Sequence, residues 1–192
     1  MNIIVSIIVG YFLGGLPFAY VIGKIQKNID LRKVGSGNLG ATNVFRNLGS
    51  VSFAICAFFD IGKAFLAFHI GLALFGQPYG FVAGMASVIG HCYSPFLKFK
   101  GGKGVAASGG LLLAYDWRIF IVALFLMIII LFISRRMSLA SIGAALSTPL
   151  IYYLFYGFDL LIFGAIILAG FLVFQHRDNI TRLLNGTEAK LF

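Results

Sequence analysis

Charge is scarce in this chain of 192 residues: Asp, Glu, Lys and Arg together make up 11%, about half the usual share of a soluble domain. Hydrophobic residues make up 60%, and the mean hydropathy is +0.97. With so few polar groups, a globule of this size could not cover its surface in water, which excludes a soluble enzyme. The same apolar excess excludes a disordered tail. Cysteine is nearly absent, and Cys56 and Cys92 both lie in apolar stretches. They supply neither a disulfide framework nor metal-ligand spacing, which excludes a secreted disulfide scaffold. Acidic side chains are also few, 6 against 15 basic ones, for a net charge of +9. In so apolar a chain, that excess points to cytoplasmic loops, anionic lipid or an anionic substrate rather than nucleic acid. What remains is an all-α integral membrane protein, a single polytopic domain over 1–192.

Seven stretches are candidates for spans: 2–22, 51–75, 79–97, 104–115, 117–134, 138–156 and 159–175. The first has no basic leader and no small-residue cleavage site, so it reads as a retained helix rather than a signal peptide. The fourth is short, since twelve helical residues rise only about 18 Å. Charge decides how it is read. With seven spans, thirteen of the Lys and Arg residues fall on one side and only Arg118 on the other, with Lys63 inside a span. If 104–115 were re-entrant, the division would be nine against five. The positive-inside rule therefore predicts a bundle of seven transmembrane helices, N-terminus outside and C-terminus cytoplasmic. The Gly-, Ala- and Ser-rich run Gly104–Gly110 suits a short span packed against protein.

The polar residues concentrate in three segments, 24–50, 90–104 and 176–190, all expected on the cytoplasmic side and so in one site. The first contains Gly35, Gly37 and Gly40 in G-x-G-x-x-G spacing. A dinucleotide fingerprint needs a preceding strand and a βαβ unit, and the pattern here has neither. Its physical content survives, because glycines let backbone N–H groups wrap an anion. Ser36, Asn38, Thr42 and Asn43 add neutral donors, and Arg46 adds a planar fork suited to phosphate. A plain Gly/Asn-rich turn before a helix is the alternative.

The second segment ends in Lys100-Gly-Gly-Lys-Gly104, a glycine-rich turn entering the fourth candidate span. Free N–H groups, the positive end of a helix dipole and Lys103 make such a turn an anion site. Walker A spacing is absent. A positive-inside loop explains Lys98 and Lys100, but not the three glycines around Lys103.

In the third segment His176 and Asn179 are three residues apart and share a helical face, continued by Arg182. A neutral His there is suited to act as a base or to orient a hydroxyl; a frayed helix end is the other reading. Asp60 and Lys63 lie one turn apart inside the second span, where each charge costs roughly 2.5–3.5 kcal/mol. Mutual pairing and a functional lysine at a cavity floor both remain open. His69 and His91 read as bundle residues, His91 less firmly because it begins the second segment.

Together the three segments resemble the bacterial membrane-bound acyl-phosphate:glycerol-3-phosphate acyltransferase family. The resemblance rests on Ser36-Gly-Asn-Leu-Gly-Ala-Thr-Asn-Val-Phe-Arg46, on Gly90-His-x-x-x-Pro95 with Lys100-Gly-Gly-Lys-Gly-Val-Ala106, and on His176-x-x-Asn179-x-x-Arg182-Leu-x-x-Gly186-x-Glu188. The Asp60-x-x-Lys63 pair also fits. Family members often carry Gly after that lysine; here it is Ala64.

The resemblance implies transfer of an acyl chain from acyl phosphate to the sn-1 hydroxyl of sn-glycerol 3-phosphate. The products are lysophosphatidic acid and phosphate, in phospholipid biosynthesis at the bacterial inner membrane. It assigns Ser36, His176 and Asn179 to catalysis. Gly37, Asn38, Thr42, Asn43, Arg46, Lys63, Gly101, Gly102, Lys103, Gly104 and Arg177 are assigned to substrate binding. No cofactor, metal or nucleic acid is implied; membrane lipid and a soluble acyl-phosphate-producing enzyme are the expected partners. Covalent catalysis through Ser36 is the weaker mechanism, since it needs an adjacent base. The His-x-x-x-x-Asp pattern of other acyltransferases is absent: the fifth residues after His69, His91 and His176 are Leu74, Phe96 and Thr181. A transporter for a phosphorylated solute is the competing class, against which stands the lack of an inverted repeat. A non-catalytic protein recruiting anionic lipid or a soluble partner is a third.

Overall fold

Gly14, Gly15 and Pro17 break the first apolar stretch into two helices, α1 (Asn2–Gly14) and α2 (Phe18–Lys27). The expected unbroken helix over 2–22 is thereby corrected: proline has no N–H to donate, and it pushes the residue before it out of helical geometry. The computed structural model describes residues 1–192. It is all-helical and continues with α3 (Ala41–Leu48), α4 (Ser50–Phe75), α5 (Gln77–Cys92), α6 (Val105–Tyr115), α7 (Trp117–Ser134), α8 (Met137–Tyr156), α9 (Leu160–Gln175) and α10 (Arg177–Leu184). Two compact units are present, Met1–Tyr115 and Asp116–Phe192.

Four stretches are long and apolar enough to cross a bilayer: Asn2–Lys27 with its break, and α4, α7 and α8. A fifth is reached if α9 and α10, bent by 60°, count as one span. Helix α5 has 16 residues and α6 has 11. The third candidate span, expected over 79–97, ends at Cys92 instead, because Pro95 opens a single 3-10 turn and Lys98 and Phe99 adopt left-handed backbone. Along α7 only Ile119 and Ala123 are buried, while Phe125, Phe132 and Ile133 are exposed. Such a surface is stable only in hydrocarbon. The protein is a multi-pass membrane protein.

In the first unit α5 packs against α1 and α4, and α6 against α4 and α5. Small residues allow the approach. A Cβ at Gly10 or Gly14 would fall on the carbonyls of Ala83 or Ser87 in α5, and one at Gly110 on the Ile61 carbonyl in α4. Lipid tails are as apolar as leucine, so close van der Waals packing of this kind replaces the hydrophobic effect between helices. One apolar cluster lies beneath the polar loops: Ala19, Ile22, Leu31, Leu39, Val44, Cys56 and Leu97. It pins α2, α3 and the loop between them to α4 and the Pro95 turn.

In the second unit α8 packs against α7 and α9. Asp116 caps α7 by accepting from the Arg118 N–H at 2.8 Å, and Asp159 caps α9 by accepting from the Leu161 N–H at 2.9 Å. The Arg118 guanidinium at 2.7 Å and the Tyr156 hydroxyl at 2.7 Å also donate to Asp116 and draw its carboxyl down to about 2.

Candidate active site

The loop from Asp30 to Gly40 is organised by one buried side chain, that of Asn43 at the start of α3. Its Oδ1 accepts from the Ser36 N–H at 3.1 Å and from Asn47 Nδ2 at 3.1 Å. Its Nδ2 donates to the carbonyls of Leu31 and Val34, each at 3.1 Å. These four bonds satisfy both donors and both lone pairs of the amide. Asn43, expected to bind substrate, thus shapes the loop through these bonds. Gly35 and Gly37 have φ of +60° and +70°, left-handed backbone that favours glycine. At Gly35 a Cβ would also strike Asn43 Oδ1. At the loop entry Arg32 grips Asp30 through Nε and Nη2, the latter at 2.7 Å, and draws that carboxyl down to about 2.

This scaffold leaves Ser36 exposed, its Oγ accepting from the Asn38 N–H at 3.4 Å. Thr42 and Arg46 follow on α3 at i and i+4, on one face of the helix, with Arg46 exposed. Asn43→Ala should lose about 2–3 kcal/mol, because it strips buried backbone groups of their partners. The substrate KM should rise with it, as measured by thermal melting and steady-state kinetics of the protein in lipid. An unchanged melting temperature would exclude this role.

Beyond α5 the chain turns at Pro95–Leu97, reverses through Lys98 and Phe99, and brings Gly101 and Gly102 back against the end of α5. The Gly102 N–H donates to the His91 carbonyl at 3.0 Å. Gly101 lies so close to the carbonyls of His91 and Cys92 that no Cβ fits. Its own carbonyl accepts from the Leu39 N–H at 3.3 Å, joining the first loop to this turn. Gly104, with φ of +88°, then opens α6, and Lys103 sits half-buried between.

A small recess lies beside the turn, lined by Gly15 to Ala19, Leu39, Asp60, Lys63, His91, Ser94 and Lys100 to Gly102. The break between α1 and α2 forms one wall, and buried donors satisfy its carbonyls. Ser94 Oγ donates to Gly15 at 2.6 Å and Lys63 Nζ to Leu16 at 3.0 Å. Lys63 also pairs with Asp60 at 2.7 Å. Lys63, expected to bind substrate, is thus paired here, with one donor on Asp60 and one on the Leu16 carbonyl of the recess wall. His91 is not a plain bundle residue: it is buried, with Nδ1 3.3 Å from Asp60 Oδ1. Ser94 is the recess residue that the sequence did not single out; Asp60 and His91 are visible there only as a paired charge and a bundle residue.

The third segment belongs to the second unit. His176 and Asn179 are buried there, at the junction of α9 and α10 and within α10. His176 Nδ1 lies 2.8 Å from the Leu172 carbonyl. A carbonyl only accepts, so Nδ1 carries a proton. Asn179 Nδ2 donates to Glu188 Oε1 at 2.6 Å, and Arg182 Nε to Glu188 Oε2 at 2.7 Å. Burial works against the charge on Glu188, but its donors outweigh burial and hold the carboxyl below its usual range. Glu188 therefore sets the Asn179 amide, a task its place at the end of the motif does not reveal. Arg177 is exposed and donates back across the bend to the Phe174 carbonyl at the end of α9 at 3.3 Å.

The family model for glycerol-3-phosphate acyltransferase matches residues 4–186. The glycerol-3-phosphate acyltransferase of Carboxydothermus hydrogenoformans is 47% identical over 98% of this chain and 96% of its own. That of Thermosipho melanesiensis is 46% identical over 99% and 93%. The fold is similar to the crystal structure of PlsY (YgiH), an integral membrane glycerol 3-phosphate acyltransferase, in its glycerol 3-phosphate form. The TM-score is 0.92 at 37% identity, over 99% of this chain and 96% of that one. The lysophosphatidic acid form gives a TM-score of 0.91 at 36% identity. At such identity over nearly the full length, this chain belongs to the glycerol-3-phosphate acyltransferase family.

Proposed function

We propose that the protein transfers an acyl chain from acyl phosphate to the sn-1 hydroxyl of sn-glycerol 3-phosphate. The products are 1-acyl-glycerol 3-phosphate (lysophosphatidic acid) and inorganic phosphate. The observation that carries this reading is the tie between two glycine-shaped basic segments, made by the Leu39–Gly101 hydrogen bond in a lipid-embedded protein. Both substrates carry phosphate, and one also carries a chain that belongs in hydrocarbon.

The turn over Gly101, Gly102 and Gly104 is assigned to the phosphate of the acyl donor. Ser36, Arg46 and Lys103, with Gly37, Asn38 and Thr42, are assigned to glycerol 3-phosphate. His176 and Asn179 orient the hydroxyl, and Arg177 adds charge for substrate. The hydroxyl oxygen attacks the acyl carbon, the bond from that carbon to the phosphate oxygen breaks, and the departing phosphate takes the hydroxyl proton. An acyl phosphate is a mixed anhydride with a good leaving group, so positioning and charge stabilisation supply most of the acceleration.

The whole chain is read as one acyltransferase domain of seven spans, N-terminus outside and C-terminus cytoplasmic. It lies in the bacterial inner membrane with its chemistry on the cytoplasmic side. The thirteen-to-one division of Lys and Arg between the two faces supports that topology.

The test is phosphate release by the purified protein in lipid, with the product identified by mass spectrometry. Release should require both substrates, yield lysophosphatidic acid, and vanish in Ser36→Ala and Arg46→Ala. In the same assay His176→Ala should lower kcat by about 10²–10⁴-fold if it moves a proton, and by much less if it only orients the hydroxyl. The proposal expects the smaller loss. Release without glycerol 3-phosphate, or without an acylated product, would overturn the transferase reading.

A further inference from the structure

A buried polar cluster lies behind the Gly101–Gly102 turn. Three side chains there bring opposite charges and an imidazole into the apolar interior. Asp60 lies on α4 and has both oxygens engaged. Oδ1 faces Lys63 Nζ at 2.7 Å and His91 Nδ1 at 3.3 Å, and Oδ2 accepts from Cys56 Sγ at 3.5 Å. A carboxylate only accepts, so the proton of neutral His91 sits on Nδ1 and the lone pair of Nε2 points the other way. On that side lies Gly102, so near that a Cβ there would fall on His91 Nε2. The His91 carbonyl accepts from the Gly102 N–H at 3.0 Å and also lies against Gly101. Both the ring and the backbone of His91 therefore bear on the turn. Lys63, with its bond to the Leu16 carbonyl, fastens Asp60 to the α1–α2 break across the recess.

We infer that Asp60 and His91 are positioning residues for the Gly101–Gly102 turn, fixing the donors that hold a phosphate group, with Lys63 locking Asp60 in place. Pairing Asp60 with Lys63 alone would balance the buried charge without His91. The imidazole adds a rigid, oriented strut between the pair and the glycines, and a packing residue needs no carboxylate to set its ring. The inference rests on the proposed role of the turn as a phosphate site.

His91→Leu keeps the bulk and removes both ring nitrogens; His91→Gln restores an amide that can donate to Asp60. In the purified protein in lipid, His91→Leu should raise the KM for acyl phosphate about tenfold and leave that for glycerol 3-phosphate within about twofold. His91→Gln should recover most of the loss. A shift of both KM values together, or a fall in kcat that tracks the folded fraction, would overturn the inference. A selective rise for glycerol 3-phosphate would keep the positioning role and reassign the ligand of the turn. Inorganic phosphate supplies a readout independent of turnover. It should raise the melting temperature of the native protein and of His91→Gln more than that of His91→Leu. Equal protection of all three would refute the inference even if acyl phosphate proved not to be the donor. Should His91→Leu not fold, the charge-neutral double variant Asp60→Asn/Lys63→Gln replaces it in both measurements, with the same outcomes deciding.

Discussion

Gly101→Ala lowers kcat/KM for acyl transfer by about 100-fold or more, the scale of loss when a reacting group is displaced by about 1 Å. The added methyl has nowhere to go. It would meet the carbonyls of His91 and Cys92 at the end of α5, and these are backbone atoms held in a helix. The turn must move instead. Its movement also breaks or stretches the bond from the Leu39 N–H to the Gly101 carbonyl, which ties the turn to the Ser36 loop. One methyl thus disturbs both proposed phosphate sites. The matched control is Gly170→Ala in α9, where a Cβ meets open space and activity stays within about twofold. Steady-state kinetics of both variants in lipid provide the check. A Gly101→Ala enzyme within about fivefold of the native rate would show that the turn does not hold substrate.

Asp60→Leu destabilises the protein by about 3–5 kcal/mol, the usual consequence of leaving one member of a buried ion pair alone. Lys63 is then a charge in an apolar interior, with only the Leu16 carbonyl and the ring of Phe18 for company. The double variant Asp60→Leu/Lys63→Met removes the orphaned charge and recovers at least half of the loss, since a buried pair is often replaceable by apolar groups of similar volume. Recovery is incomplete, because the Leu16 carbonyl and His91 Nδ1 each lose a partner and such a buried group costs about 1–3 kcal/mol. Thermal unfolding in one detergent, compared across the two singles and the double, measures the coupling. Additive losses would mean that the two charges do not depend on each other.

Much of this molecule is legible in its residues. Helices α4, α7, α8 and α9 lie within a residue of their expected ends, because long apolar runs flanked by Gly76, Asp116, Gly157 and Asp159 leave the chain little choice in a bilayer. The break at Gly15–Pro17 was equally visible, but hydropathy averages over it. The glycines of the two loops mark left-handed turns and close approaches, and the structure has both, at Gly35 and Gly37 and at Gly101 and Gly102. Asn43 shows the limit of that reasoning. As a residue type it suits a phosphate as well as it suits four backbone and side-chain partners, and only the structure shows that it has those four. Glu188 is the converse, a tail residue whose grip on Asn179 follows from the chain turning back after α10.

The sequence by itself determined the environment, the helical class and the family. Each of those follows from local facts: the apolar fraction, the length of apolar runs, and glycines set among cations. The tertiary structure alone decided which of the polar residues belong together. Asp60, His91 and Gly102 stand far apart in the chain and meet because small residues let α1, α4 and α5 approach closely enough for one carboxylate to serve a lysine and an imidazole at once. A hydrogen bond needs its partners within about 3 Å, and proximity of that kind across helices belongs to packing rather than to any stretch of residues.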